Sequence, residues 1–241
     1  YVNLRPVKSF KGIKSRYEDI DLVIVRENTE GLYSGIEHKI GDYGAETIKI
    51  ITKPACERIC EFAFNYAKDN NRKKVTGVHK ANIMKLSDGL FLNTFRDIAS
   101  KYPDIKSDDL IVDAACMNLV INPEKYDVMV MPNLYGDIVS DLCSGLVGGL
   151  GMIPGANIGK DYAVFEAVHG SAPDIAGKNI ANPTAIIQSS VMMLRYLGEQ
   201  EAAAKIENAL VKVFEKGENL TGDLGGNATT DEFTNEILKY I

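Results

Sequence analysis

Three aspartates in this chain are of a type and spacing that could hold a hard cation. Asp137 and Asp141 sit four apart in MPNLYGDIVSDLCSGLVGGLG, residues 131–151, and residues at that spacing project from one side of a helix. Asp113 follows the apolar LIV of 110–112, and Asp137 lies just past MVMP. Both are therefore expected at the carboxyl ends of parallel strands, where α/β sheets bind ligands. Three carboxylates converging there would suit Mg²⁺ or Mn²⁺, with waters and a substrate completing an octahedron. A capping aspartate and two surface acids fit the same spacing, and spacing alone leaves both readings open.

Other polar groups also sit at predicted strand ends. Arg26 opens RENTEGLY, which closes on Tyr33. A guanidinium there can fork two hydrogen bonds onto a carboxylate, as can Arg5 before Pro6. The Tyr33 phenol can give or take a proton, although a surface arginine beside a partly packed tyrosine is the plainer account. Lys80 lies in VHKAN, 78–82, and a cleft lysine can serve in proton transfer. A lone lysine past a strand is more often a solvated charge, and His79 is as readily a packed histidine as a ligand. FEAVHGSAPDIAG, 165–177, is a loop of small residues that lets backbone approach a ligand. Its Asp174 could accept hydrogen bonds from a ribose diol. Neither a GxGxxG turn nor a P-loop lysine accompanies it.

Positioning such groups takes strands and helices in alternation. The β-branched run at 21–26 predicts a buried strand, and TIKIIT at 47–52 a half-exposed one. Lys53-Pro54 opens a helix to about Asn70, with proline where the first turn tolerates it. A strand over 74–79 and a helix over 87–101, capped by Ser87 or Asp88, come next. Strands are expected at 109–113, 127–131 and 162–166. Helices are expected at 114–121, 136–147, 183–198, 199–216 and 230–240. This is an α/β fold with a largely parallel sheet. Residues 31–46 read as an irregular excursion, and the glycine-rich run 145–159 as a passage between lobes near residue 147.

A net charge of −6 argues against general binding to nucleic acid or an acidic membrane. No apolar run approaches the ~20 residues of a membrane span. Four cysteines without zinc or disulfide spacing point to a reducing compartment.

Taken in order, LRPVKSFKG, VIVRENTEGLYSGIEH, VTGVHKANIMKLSDGLF, MPNLYGDIVSDL, GGLGMIPGANIG, FEAVHGSAPDIAGKNIANPTA and MMLRYLG resemble the β-decarboxylating dehydrogenases. Within that isocitrate/isopropylmalate dehydrogenase family the likeness is greatest to the NAD-dependent isocitrate enzymes. The resemblance implies two lobes: a small domain over 1–147 with a clasp at about 31–52, and the C-terminal part of a large cofactor-binding domain over 148–241. It also implies that the chain lacks the N-terminal part of the large domain, with a substrate-reading motif and any targeting peptide. The cytoplasm is expected, or the mitochondrial matrix if a transit peptide belongs to that part.

The implied reaction is oxidative decarboxylation of isocitrate to 2-oxoglutarate with NAD and Mg²⁺ or Mn²⁺. Asp113, Asp137 and Asp141 would be metal ligands or their neighbours. Lys80 would assist removal of the hydroxyl proton, Tyr33 would return a proton to the enolate, and Arg5 and Arg26 would clamp carboxylates. His169, Gly170, Asp174, Ile175, Asn182 and Asn82 would meet the cofactor. Asp174 would repel a 2′-phosphate, and Gly222 and Gly226 stand where NADP-using relatives carry tyrosine and arginine. A homodimer or higher homo-oligomer is implied, with Lys80, Asn82 and Asp113 serving the opposite subunit's site. Homoisocitrate or 3-isopropylmalate as substrate, a regulatory subunit of a heteromeric enzyme and a metal-dependent hydrolase are the competing readings.

Overall fold

The structure, a computed structural model, describes all of residues 1–241. By their internal contacts the residues gather into two compact units. The first comprises Tyr1–Leu4, Leu22–Leu142 and Ile158–Lys160; the second comprises Arg5–Asp21, Cys143–Asn157 and Asp161–Ile241.

The elements lying wholly or partly in the first unit are, in chain order, β1 (Val2–Lys8, of which only Val2–Leu4 belong to it), β2 (Asp21–Glu27), β3 (Gly31–Ile40), β4 (Gly44–Ile50), α1 (Lys53–Asp69), β5 (Lys74–His79), α2 (Ser87–Ala99), β6 (Lys106–Ile111), α3 (Val112–Ile121), β7 (Val128–Met131) and α4 (Asn133–Val147, to Leu142). Its sheet runs β6-β5-β7-β2-β1. β2, β5 and β7 are almost wholly buried, as continuous apolar runs covered on both faces must be. Their pairing is parallel: Arg26 lies opposite Met131, Gly77 opposite Val130, and His79 opposite Ile111. One rim therefore collects the carboxyl ends of four strands. Arg26, Lys80, Asp113 and Asn133 all lie at or just beyond that rim.

α1 forms because Thr52 caps it, its hydroxyl accepting from Ala55 N at 3.4 Å, and because Pro54 falls within the first turn. Its apolar stripe of Ala55, Ile59, Ala63, Phe64 and Ala67 is buried. Phe64 meets Phe95 of α2 at 5.7 Å between ring centroids.

Three expectations need correction here. Residues 31–46 are not irregular: β3 and β4 pair antiparallel, with His38 opposite Glu46. A register shift between Gly31 and Ile36 and a turn at Gly41, both carrying positive-φ glycines, hide the pattern. Little of either strand is buried, so no in–out alternation marks the pair. Asp113 does not end a strand but stands in the first turn of α3, where the helix dipole favours a carboxylate. Neither Ser87 nor Asp88 caps α2, whose N-cap is Leu86 with no side-chain bond. Asp88 is instead fully buried with partners of its own.

The second unit holds β8 (Pro154–Ile158), β9 (Ala163–Ala167), α5 (Thr184–Tyr196), α6 (Gln200–Lys216) and α7 (Thr230–Leu238), with β8 and β9 neighbours in the sheet. β8 lies inside the stretch expected to be a glycine-rich passage; Pro154 and Gly155 disguise it. Phe10, Ile13, Met152, Leu210, Phe214 and Phe233 form its core. Gly12 sits at φ +89°, and a Cβ there would lie 2.0 Å from the Phe214 carbonyl oxygen, so only glycine fits. Thr229 and Glu232 close a reciprocal capping box on α7. No helix is long and apolar enough to cross a membrane.

Candidate active site

Arg26 is the pivot of the polar cluster at the strand rim. It is 6% exposed, since its stem runs against α4 at Gly136. A Cβ at Gly136 would come within 2.4 Å of the Arg26 Cγ, so this close approach requires the missing side chain. The guanidinium Nε donates to Asn133 Oδ1 at 2.9 Å, and Nη1 pairs with Asp137 Oδ1. The other carboxylate oxygen of Asp137 accepts from the Tyr33 hydroxyl at 2.6 Å. Arg26 also lies over the Tyr33 ring, 5.0 Å from its centroid. The hydrogen bond to Asp137 and then desolvation push the Tyr33 phenol above its usual range, so it stays protonated.

One turn along α4, Asp141 is exposed. Asp137 and Asp141 thus offer hard carboxylate oxygens on the open side of one helix, a donor set suited to Mg²⁺ or Mn²⁺. Within the chain, however, no three His, Cys, Asp or Glu residues converge as a metal site. Asp113 instead accepts from the Lys80 ammonium, and that hydrogen bond holds its carboxyl below the usual range. Asn82 lies exposed in the turn after Lys80. The chain therefore presents two polar clusters, Arg26–Tyr33–Asp137 with Asp141 one turn on, and Lys80–Asp113.

A neighbouring buried group escaped the sequence reading. Asp88 accepts from the Lys80 backbone N–H at 2.7 Å, from the Tyr135 hydroxyl at 2.8 Å, and from the Lys49 ammonium. Lys49 is 12% exposed at its side chain and Asp88 0%. A carboxylate this deep persists only because every donor is in place. Burial and the bond to Asp88 raise the Tyr135 phenol far above its ordinary range. The partners lie 39 and 47 residues from Asp88 in sequence, and no local pattern joins them.

In the second unit, His169, Gly170, Ile175 and Asn182 line a cavity of about 920 Å³, with Gly151 and Asp223. The Asn182 amide donates to Asp223 Oδ2 at 2.9 Å, and its carbonyl oxygen accepts from Thr184 N at 2.9 Å. His169 Nδ1 lies 2.9 Å from the Gly170 carbonyl oxygen. Asp174 is exposed in the short helical turn 173–175, outside the residues that line the cavity. The carboxylate facing this space is that of Asp223, which carried no expected role. Arg5 is 8% exposed on β1 and belongs to this second unit. Glycines and alanines dominate the lining, together with the carboxamides of Asn179, Asn182 and Asn227.

The family model described as isocitrate/isopropylmalate dehydrogenase matches residues 1–237. The probable mitochondrial NAD isocitrate dehydrogenase alpha subunit of Drosophila melanogaster is 59% identical across the whole chain, which spans 64% of that protein. A Dictyostelium discoideum protein named as a regulatory subunit of mitochondrial NAD isocitrate dehydrogenase is 57% identical, again across the whole chain and 68% of its own length. The crystal structure of isocitrate dehydrogenase from Methylococcus capsulatus superposes with a TM-score of 0.96 at 52% identity, covering all of this chain and 73% of that one.

Proposed function

Because the chain belongs to the isocitrate/isopropylmalate dehydrogenase family, we propose that the protein carrying it oxidises isocitrate with NAD⁺ and releases CO₂, leaving 2-oxoglutarate and NADH. The observation that carries this reading is the Arg26–Tyr33–Asp137 cluster. It sets a fixed cation, a protonated phenol and a hard carboxylate side by side. When bound at Asp137 and Asp141, with Asp113 completing the set, Mg²⁺ or Mn²⁺ would supply Lewis-acid polarisation of the substrate hydroxyl and its carbonyl product.

The chain's own groups then divide the work. Arg26 clamps a substrate carboxylate, with Arg5 assigned the same task. Lys80 assists loss of the hydroxyl proton as hydride leaves C2 for NAD⁺. The β-carboxylate departs as CO₂, its bonding electrons passing to the new carbonyl, and Tyr33 delivers a proton to the resulting enolate carbon. His169, Gly170, Ile175, Asn182 and Asp174 are assigned to the adenosine half of NAD⁺, and Asn82 to the cofactor from the neighbouring subunit.

The split of the site favours shared active sites in an assembly. α3 carries exposed Met117, Val120 and Ile121, more apolar surface than a solvent-facing helix keeps. The β3–β4 pair stands as a two-stranded sheet, which is marginal without cover. Full-length protein should form NADH from isocitrate with Mn²⁺; turnover on 3-isopropylmalate or homoisocitrate alone would sink the substrate assignment. If sites are shared, mixing inactive Lys80→Met and Asp137→Asn chains should restore about a quarter of wild-type activity, since half the dimers are hybrids with one intact site. No recovery would mean that each chain completes its own site.

The relatives carry both alpha and regulatory subunit names, so a heteromer is the second reading. Activity that appears only on adding a second subunit type would favour it. Because these relatives carry mitochondrial names, the mitochondrial matrix, allowed beside the cytoplasm by the sequence, is the location proposed.

A further inference from the structure

Asn133 is 2% exposed, and both ends of its amide are committed. Its Oδ1 accepts from Arg26 Nε at 2.9 Å, and its Nδ2 donates to the Glu30 carbonyl at 3.0 Å. The first bond fixes a guanidinium that pairs with Asp137 through another nitrogen. The second holds the residue just before Gly31, where β3 begins, three positions before Tyr33. Gly31 itself has φ +89°, and a Cβ there would sit 3.5 Å from the Asn133 Cβ, so the two segments touch.

We propose that Asn133 is a positioning residue for the reaction assigned above, setting Arg26 and Tyr33 in register with one another and with Asp137. It touches no reacting atom. An amide presents an acceptor and a donor together, and this place uses one of each. An aspartate would keep the acceptor for Arg26 but turn a second oxygen against the Glu30 carbonyl. A leucine would fill the volume and serve neither side. This inference rests on the reading of Arg26 and Tyr33 as substrate-side groups.

The test uses full-length protein with its partner subunits, comparing Asn133→Asp and Asn133→Leu with wild type. Each variant is expected to raise KM for isocitrate or lower kcat by about tenfold, the leucine more than the aspartate, with KM for NAD⁺ within about twofold. Hydrogen exchange over Gly31–Tyr33 should quicken by about tenfold in both. Unchanged kinetics, or equal changes for both substrates, would overturn the positioning role. So would unchanged exchange over Gly31–Tyr33. If Asn133→Leu fails to fold, Asn133→Asp carries the comparison alone. If wild type does not oxidise isocitrate, the functional reading falls, while the exchange measurement still decides whether Asn133 holds the start of β3.

Discussion

The strand rim of the first unit and the cavity of the second solve different problems with different residues. At the rim, charged side chains hold one another: Arg26 with Asp137, Lys80 with Asp113, and Lys49 with Asp88. Around the cavity, glycines and alanines dominate among three asparagines, of which Asn182 is fixed by Asp223 and Asn179 by Asp231. On the proposed roles, the contrast follows from what each place would meet. Bond-making needs fields and protons at defined atoms, which only polar side chains supply. Holding an adenosine needs close approach and few fixed contacts, which small residues allow.

This contrast makes separable predictions. Asp137→Asn strikes the rim at its centre, and turnover should fall by about 10³-fold, as loss of a principal electrostatic group does. NAD⁺ affinity, measured by fluorescence quenching or calorimetry, should stay near wild type. A large loss of cofactor binding would show that the two regions are not independent.

Gly136→Ala tests the rim through shape alone. The added methyl would drive against the Arg26 stem, costing about 1–3 kcal/mol of stability. It should also raise KM for isocitrate more than KM for NAD⁺, because Arg26 loses its aim. Urea unfolding and steady-state kinetics check the two effects, and a normal KM beside lowered stability would confine Gly136 to packing.

Asn182→Leu acts on the other region. Losing one hydrogen-bonded amide in the cavity should raise KM for NAD⁺ by about tenfold, with KM for isocitrate nearly unchanged. A fall in kcat without a change in KM for NAD⁺ would break the assignment.

The smallest effect belongs to Glu232. Backbone and side-chain hydrogen bonds from Thr229 lower its folded pKa below the unfolded value. Its contribution to stability is therefore present above the ordinary glutamate range and lost as pH falls through the folded pKa. Glu232→Gln should lower the thermal midpoint slightly at neutral pH, and the difference should vanish in acid. A difference that survives full protonation would point to the cap's shape rather than its charge.

A segment that carries its own pattern is legible from its residues alone. β5 was predicted over 74–79 and found at Lys74–His79; α1 was expected from Lys53 and runs Lys53–Asp69. Buried apolar runs and a capped helix leave such marks. A pattern shared between distant segments leaves no such local mark. Nothing local in TIKIIT or SDGLF says that Lys49 and Asp88 will meet. Nor does the Asn of MPNLYGD announce that it links Arg26 to Glu30. β3 and β4 were obscure because neither of their faces is clearly the inner one. Residue types at the site were thus legible, while the pairing among them required the parallel register that stacks the strand ends.

The three donors on Asp88 have a mechanical consequence. Lys49 comes from β4, Tyr135 from α4, and the N–H from the residue that bears the Lys80 ammonium. Peeling β4 away would strand a carboxylate with 0% exposure without its counter-ion, a cost of several kcal/mol. Local opening of the β3–β4 pair is thereby coupled to the Lys80 turn and to the helix that carries Asp137. These segments should breathe as one cooperative unit, so that whatever steadies the hairpin also steadies the groups at the rim.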